Sequence, residues 1–308
     1  MRIVITEFMD EHAVAQLRAR HDVMYDPKLI DDPTRLHAAA GAAHAFVVRN
    51  RTQVRGELLA ALAQCRVVGR LGVGLDNIDV AACEARSIKV IPATGANALS
   101  VAEYVIACAL LLLRGAYHST GAVIAGQWPR GVLGNGREVG GKTLGLVGFG
   151  SIGQLTARLA QGLGMAVIAC DAVLDRTDPV FVQAGVRCVD LDELTRSADV
   201  ISLQVPLVAS TRWLFDAQRI AVMRRGAVLI NSARGGVVDE AAVAAALRSG
   251  QLGGAALDVF ETEPLHAASV FDGCPNLLLT PHIAGVSAES NQRVSFLIAQ
   301  KLLEELAR

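Results

Sequence analysis

The chain of 308 residues carries 29 Lys plus Arg against 30 Asp plus Glu, a formal net charge of -1. That balance excludes the broad basic field that nucleic-acid or anionic-membrane binding needs, so any anion must be met by individually placed arginines. At 52% hydrophobic, 19% charged and only 4% aromatic, the chain has an aliphatic interior for two domains, the number its length argues for.

In chain order, short aliphatic runs alternate with helical patterns. Arg2–Thr6 reads as a strand, Glu11–Ala19 as a helix, His44–Arg49 as a strand and Gly56–Ala63 as a helix. A strand at Cys65–Gly69, a helix at Val80–Ala85 and a strand at Lys89–Pro92 follow. Strands that alternate with helices imply a parallel sheet covered on both faces. The pattern then changes to one long helix, Ser100–Arg114, whose all-round apolarity predicts burial between two bodies. A domain boundary is placed just before it. A second series runs from Leu144, with strands at Leu144–Gly148, Ala166–Cys170, Val200–Gln204, Ala227–Asn231, Gly254–Leu257 and Leu277–Leu279. These six suffice for a dinucleotide-binding sheet. The last helix, Ala288–Leu306, has no further strand to serve and is expected to return to the first domain. The division is therefore 1–96 with 287–308, and 97–286, without low-complexity segments or repeats.

Mean hydropathy is +0.38, yet the longest apolar run, Tyr104–Leu113, is fenced by Glu103 and Arg114. A helix of that length rises about 15 Å, half of a bilayer core, so no membrane partner is expected. The start MRIVITEFMDE lacks the features of a signal peptide. The six cysteines form no CxxC pair, which points to reduced thiols in the cytoplasm and to no metal.

Chemistry concentrates at the ends of the second series' strands. Gly148-Phe-Gly150-Ser151-Ile152-Gly153 follows an apolar strand and opens a helix with Ile152, Leu155, Leu159 and Leu163 on one face. Glycine at those positions allows a tight turn, leaves room for a pyrophosphate and lets helix and strand pack closely, with helix N-terminal amides facing the phosphates. Asp171 ends the next strand, where an acid holds ribose hydroxyls and repels a ribose phosphate, which favours NAD over NADP; alternatively it only begins a turn. Farther on come Ser232-Ala233-Arg234, Asp258 with Glu263, and His282-Ile-Ala284-Gly285, each set following an apolar strand. Side chains at the carboxyl ends of parallel strands converge on one crevice. Histidine titrates near neutrality unaided and a carboxylate orients its ring, which suits a proton shuttle. Arginine offers a planar fork to a carboxylate and a fixed charge beside a developing alkoxide. Taken alone, His282 also reads as a packed core histidine; its place in a set of three favours the catalytic reading. His12, His21, His37, His44, His118 and His266 lack such context and read as surface or packing residues.

Jointly these segments, with Val48-Arg49-Asn-Arg51-Thr52, Gly69-Arg70-Leu-Gly72-Val73-Gly74 and Ser100-Val-Ala-Glu103, resemble the D-isomer-specific 2-hydroxyacid dehydrogenase family, in particular its short phosphoglycerate-dehydrogenase-like members. The resemblance covers nearly the whole chain. It implies an α/β protein with a Rossmann NAD-binding domain inserted into a flavodoxin-like substrate domain. It also implies Arg234, Glu263 and the acid/base His282 as the catalytic set. Val73, Ser151–Ile152, Asp171, Val205–Pro206, Ser232–Arg234, Asp258 near the nicotinamide amide and His282–Gly285 would line the cofactor. The amides of Gly72–Gly74 would meet the substrate carboxylate. Arg49, Arg51, Arg70 and Arg130 lie outside the catalytic set, and arginines concentrated in a net-neutral chain point to a second anion; Arg49, Arg70 and Arg130, the last from a neighbouring subunit of a homodimer, resemble the family's phosphate-end contacts, while Arg51 and Arg130 read alternatively as solvated surface charges. One departure is Gln204, where the family usually has His.

Two dianionic acids compete as substrate. The stretches Thr6–Glu11 and Arg49–Val54 are similar to bacterial (S)-sulfolactate dehydrogenases of this family. A sulfomethyl group in place of the methyl of D-lactate changes the label to S without changing the geometry. The alternative is 3-phosphoglycerate. A third reading, an NAD-sensing corepressor-like protein without turnover, is disfavoured by the lack of disordered extensions. Formate is disfavoured because Glu263 stands where that branch has Gln.

Overall fold

The structure is a computed structural model and describes residues 1–115, 117, 119–267 and 269–307. His118 lies outside the described residues. The chain divides into two compact units, Met1–Asn97 with Val286–Arg308, and Ala98–Gly285.

In the first unit, β1 (Arg2–Ile5), β2 (Asp22–Tyr25), β3 (Ala45–Val48), β4 (Val67–Arg70) and β5 (Lys89–Pro92) form a parallel sheet in the order β2-β1-β3-β4-β5. Both faces are covered, which is why β1 and β3 are apolar at nearly every position. Ile3, Ile5, Ala45 and Val47 pack beneath the helices Glu11–Arg18 and Ala288–Leu306. Val4, Phe46 and Val48 pack on the opposite side with Leu36, Leu58 and Leu59. The strand order reverses between β1 and β3, so the loops after these two strands sit at the switch point where open sheets bind ligands.

The second unit holds β6 (Thr143–Val147), β7 (Ala166–Cys170), β8 (Arg187–Cys188), β9 (Val200–Leu203), β10 (Ala227–Asn231), β11 (Leu252–Leu257) and β12 (Leu277–Leu279). The order β12-β11-β10-β9-β6-β7-β8 is the dinucleotide-binding order 3-2-1-4-5-6, counted from β6, with a seventh strand beyond the sixth. Its switch point lies between β6 and β9. Asp10, Asp79, Asp190, Asp216 and Asp239 each accept an amide of the helix they precede and so fix where those helices begin.

Three expectations are corrected. The first sheet has five strands rather than four, because Asp22–Tyr25 is a half-buried edge strand without a clear apolar alternation. The second has seven rather than six, the addition being the two-residue edge strand Arg187–Cys188. The long helix, Ala98–Arg114, is not buried all round. It packs on the second unit's sheet through Val105, Cys108, Ala109, Leu112 and Leu113, while Leu110 and Leu111 are 41% and 39% exposed. Among the described residues no helix is long and apolar enough to cross a membrane, and no cluster of acidic, His or Cys side chains is arranged to hold a metal.

Candidate active site

The turn after β6 is shaped by what its glycines touch. Gly148 has φ of 99°, and an added Cβ would meet the Gln204 carbonyl at 2.5 Å. A Cβ on Gly153 would meet the Gly148 carbonyl at 2.5 Å, whereas one on Gly150 meets nothing within 4 Å. The protein itself therefore demands glycine at Gly148 and Gly153, and leaves open space over Gly150. Gly150 is the N-cap of the helix Ser151–Gly162 and supplies no side-chain cap, so the first-turn amides face outward. Asp171 closes the far side of the turn, accepting the Phe149 amide at 2.7 Å on one oxygen and the Val173 and Leu174 amides at 2.8 and 3.1 Å on the other. Partial burial opposes ionisation of this carboxyl, but the three amides outweigh it and hold the pKa below its ordinary value. The Ser232 hydroxyl is buried and has no hydrogen-bond partner among the described residues. An open glycine over free helix amides, an ionised acid beyond it and an orphaned hydroxyl fit a dinucleotide. Val205 is half-buried and Pro206 exposed in the loop after β9, and Gln204 donates to the Ser202 hydroxyl at 2.8 Å.

The loops after β10, β11 and β12 bring Arg234, Glu263 and His282 together. Asn231, fully buried, accepts the Ala233 amide at 3.1 Å and donates to the Arg234 carbonyl at 2.9 Å, which folds the chain back around Ser232. Gly235 then lies directly against the Phe260 carbonyl, with no room for a Cβ. That close approach brings Arg234 within electrostatic range of Glu263. Glu263 is anchored by the Phe260 amide at 3.1 Å and bonds His282 Nδ1 at 2.8 Å. Burial opposes ionisation of Glu263; the bonds from His282 and the Phe260 amide and the charges of His282 and Arg234 outweigh it and lower its pKa. With Nδ1 taken, His282 presents Nε2, and its side chain is 43% exposed. The arrangement holds an oriented acid/base beside a fixed cation. Ala233 and Ala284 are buried.

The first unit gathers a second set at its own switch point. Glu7, 4% exposed, accepts the amides of Arg49 (2.9 Å), Thr52 (3.0 Å) and Arg51 (3.1 Å). The Arg49 guanidinium bonds Asn291 at 2.8 Å and lies 5.7 Å from the centre of the Phe8 ring. Arg51 is 59% exposed and pairs with Asp31 at 2.5 Å. The Arg70 guanidinium folds over Gly72, where a Cβ would collide with it, and donates to the Leu71 carbonyl at 3.2 Å. Val73 is 37% exposed and Gly74 is half-buried. Arg130, in the second unit, is exposed and opens the short helix Arg130–Leu133.

Sequence reasoning missed the roles of Glu7, Asn231 and Gly235. For Glu7 a signal existed: it is an acid just past an apolar strand, the rule that picked out Asp171.

Residues 106–284 match the family described as D-isomer specific 2-hydroxyacid dehydrogenase, NAD binding domain. The chain is 52% identical over 304 residues to an (S)-sulfolactate dehydrogenase of Chromohalobacter salexigens, a match covering 99% of this chain and 98% of that protein. It is 36% identical over 307 residues to a D-3-phosphoglycerate dehydrogenase of Mycobacterium leprae, covering 99% of this chain and 57% of that longer protein. A crystal structure of NAD-dependent formate dehydrogenase from Staphylococcus aureus in complex with NAD is similar at a TM-score of 0.84 and 26% identity, covering 100% of this chain and 96% of that one.

Proposed function

The chain belongs to the D-isomer specific 2-hydroxyacid dehydrogenase family and is an NAD-dependent oxidoreductase of the CH–OH group; from that premise we propose that its substrate is (S)-3-sulfolactate, interconverted with the 2-oxo acid. The observation that carries the substrate is the 52% identity over essentially the full length to a sulfolactate dehydrogenase. The first unit's arginines support it, since a dianion needs a second cationic anchor besides Arg234. The runner-up, 3-phosphoglycerate, rests on the 36% identity to the mycobacterial relative.

When bound, NAD would supply the hydride acceptor for oxidation and the hydride donor for reduction. The Gly148–Gly153 turn, Asp171, Val205–Pro206, Ser232–Arg234, Asp258 and His282–Gly285 would hold the cofactor within 97–286, and we assign Val73 to the same ligand. Arg234 and the amides of Val73 and Gly74 bind the substrate carboxylate, the Gly72 amide being already donated to the Arg70 carbonyl at 2.8 Å. His282 takes the hydroxyl proton on Nε2 while Glu263, bonded to Nδ1, steadies the imidazolium that forms; the reverse direction returns the same proton. Arg234 opposes the negative charge that develops on the oxygen. We assign Arg49, Arg51, Arg70 and Arg130 to the sulfonate end. We further propose a homodimer through the apolar surface of Leu110, Leu111, Ile124, Trp128 and Val132, and a reducing cytoplasm suited to six free cysteines.

The test is a panel of 3-sulfolactate, 3-phosphoglycerate, glycerate and lactate with NAD. Sulfolactate should give the highest kcat/KM; a higher value for 3-phosphoglycerate would replace the substrate. His282→Ala should leave NADH binding, read by fluorescence, near the parent value while turnover falls by roughly 10²–10⁴-fold. Retained turnover would remove His282 from the chemistry.

A further inference from the structure

Asp258, at the end of β11, is 1% exposed and holds the His282 loop in several places. Its carboxylate accepts the Thr280 hydroxyl at 2.6 Å and the Ile283 amide at 2.8 Å on one oxygen, and the Ala284 amide at 2.8 Å on the other. Its backbone carbonyl accepts the His282 amide at 2.8 Å. These bonds hold His282 at φ of 57°, a conformation non-glycine residues rarely adopt and that persists only where the surroundings over-determine it.

One further member of this network comes from the helix Ala98–Arg114. The Tyr104 hydroxyl lies 2.7 Å from the Thr280 hydroxyl. The direction of that bond follows from counting protons. Thr280 has a single hydroxyl proton, and it is committed to the Asp258 carboxylate, which already receives two amides and acts only as acceptor. Tyr104 must therefore donate to Thr280. Burial, chiefly, together with the nearby Cys108 and Asp258, pushes the phenol above its ordinary pKa and keeps that proton in place. The bonds run one way, from phenol to threonine to carboxylate, and such chains strengthen each member.

We propose that Tyr104 is a positioning residue for His282, acting through Thr280 and Asp258 on the loop that carries the imidazole. The proposal rests on His282 being the acid/base of the reading above. A tyrosine that only filled space would be replaced by phenylalanine without consequence; a tyrosine that polarises the Asp258 network would not. All four residues lie in the second unit, so the coupling needs no movement of one unit against the other.

The experiment is a double-mutant cycle on the full-length enzyme with NAD and 3-sulfolactate, or 3-phosphoglycerate if the panel selects it. Tyr104→Phe should lower kcat about tenfold, as expected for one bond in a coupled network, while KM for NAD stays within twofold. In a Thr280→Val background the same change should cost nothing further, because the route to Asp258 is already cut. In a Thr280→Ser background, which keeps the hydroxyl, the tenfold loss should return, and this arm stands if Thr280→Val fails to fold. A kcat within twofold of the parent for Tyr104→Phe, or an undiminished loss without the Thr280 hydroxyl, would overturn the proposal. His282→Ala in the same assay separates the two readings. If its turnover is retained, the acid/base assignment falls; if it collapses while Tyr104→Phe is silent, only the positioning role falls.

Discussion

The two units solve the same local problem with the same device and different surroundings. In each, a buried carboxylate just past a strand holds the loop that follows a neighbouring strand: Glu7 holds Arg49–Thr52, and Asp258 holds Thr280–Ala284. Glu7 takes three backbone amides and its loop contains no residue of positive φ. Asp258 takes two amides and a hydroxyl backed by a tyrosine, and its loop contains His282 at φ of 57°. A loop that only displays guanidinium groups tolerates small displacements, because long arginine side chains reorient. A loop that must aim one ring nitrogen, as the role proposed for His282 requires, does not, and it is the one with the extra bond. Damage to the first clasp should therefore appear in substrate KM and stability, and damage to the second in kcat.

Of the changes that damage the two clasps, the largest effect is expected from Asp258→Asn. The new amide group turns a donor toward donors already aimed at that position, a loss of about 1–3 kcal/mol, equivalent to roughly 5- to 150-fold in kcat. Steady-state kinetics should show kcat falling more than substrate KM rises. The reverse pattern would break the comparison.

Glu7→Gln is the matching change in the first unit. An amide facing the Arg49, Arg51 and Thr52 amides should cost about 1–3 kcal/mol in denaturant unfolding and raise substrate KM with kcat nearly unchanged. The acid limb of stability sharpens the point. Burial opposes ionisation of Glu7, but bonds from Thr52, Arg49 and Arg51 hold its pKa below the ordinary 4.5. Its contribution is thus complete above pH 4.5 and is lost as pH falls through the lowered value. Glu7→Gln should flatten that decline; an unchanged acid limb would show that Glu7 does not supply it.

Which of these features the sequence disclosed follows from the range of the interactions. The glycine turn and the sets around Arg234, Glu263 and His282 were legible because each follows an apolar strand, and parallel strands deliver their carboxyl ends to one edge. The edge strands Asp22–Tyr25 and Arg187–Cys188 were not, since a short, half-exposed pairing leaves no apolar alternation. Glu7 reaches partners 42 to 45 residues away, and Tyr104 reaches Thr280 across 176. No local spacing records such contacts, which exist only once the helix and the sheet have packed.

The smallest effect separates the two arginines of the Glu7 loop. Arg49 is half-buried, its guanidinium is bonded to the neutral Asn291, and the charge of Glu7 acts on it from the carboxylate that holds its amide. Arg51 points its guanidinium at Asp31 and is 59% exposed, so much of its field is cancelled by Asp31 and screened by salt. An exposed pair of this kind contributes about 0–1 kcal/mol to stability. Arg51→Ala should therefore leave the unfolding midpoint nearly unchanged and raise substrate KM only about twofold, an increase that shrinks further at high ionic strength, whereas Arg49→Ala should raise KM several times more. Asp31→Asn provides the decisive contrast. If Arg51 serves the anionic end of the substrate, freeing it from Asp31 lowers KM; if the pair serves the surface alone, KM stays at the parent value and Arg51 leaves the binding set.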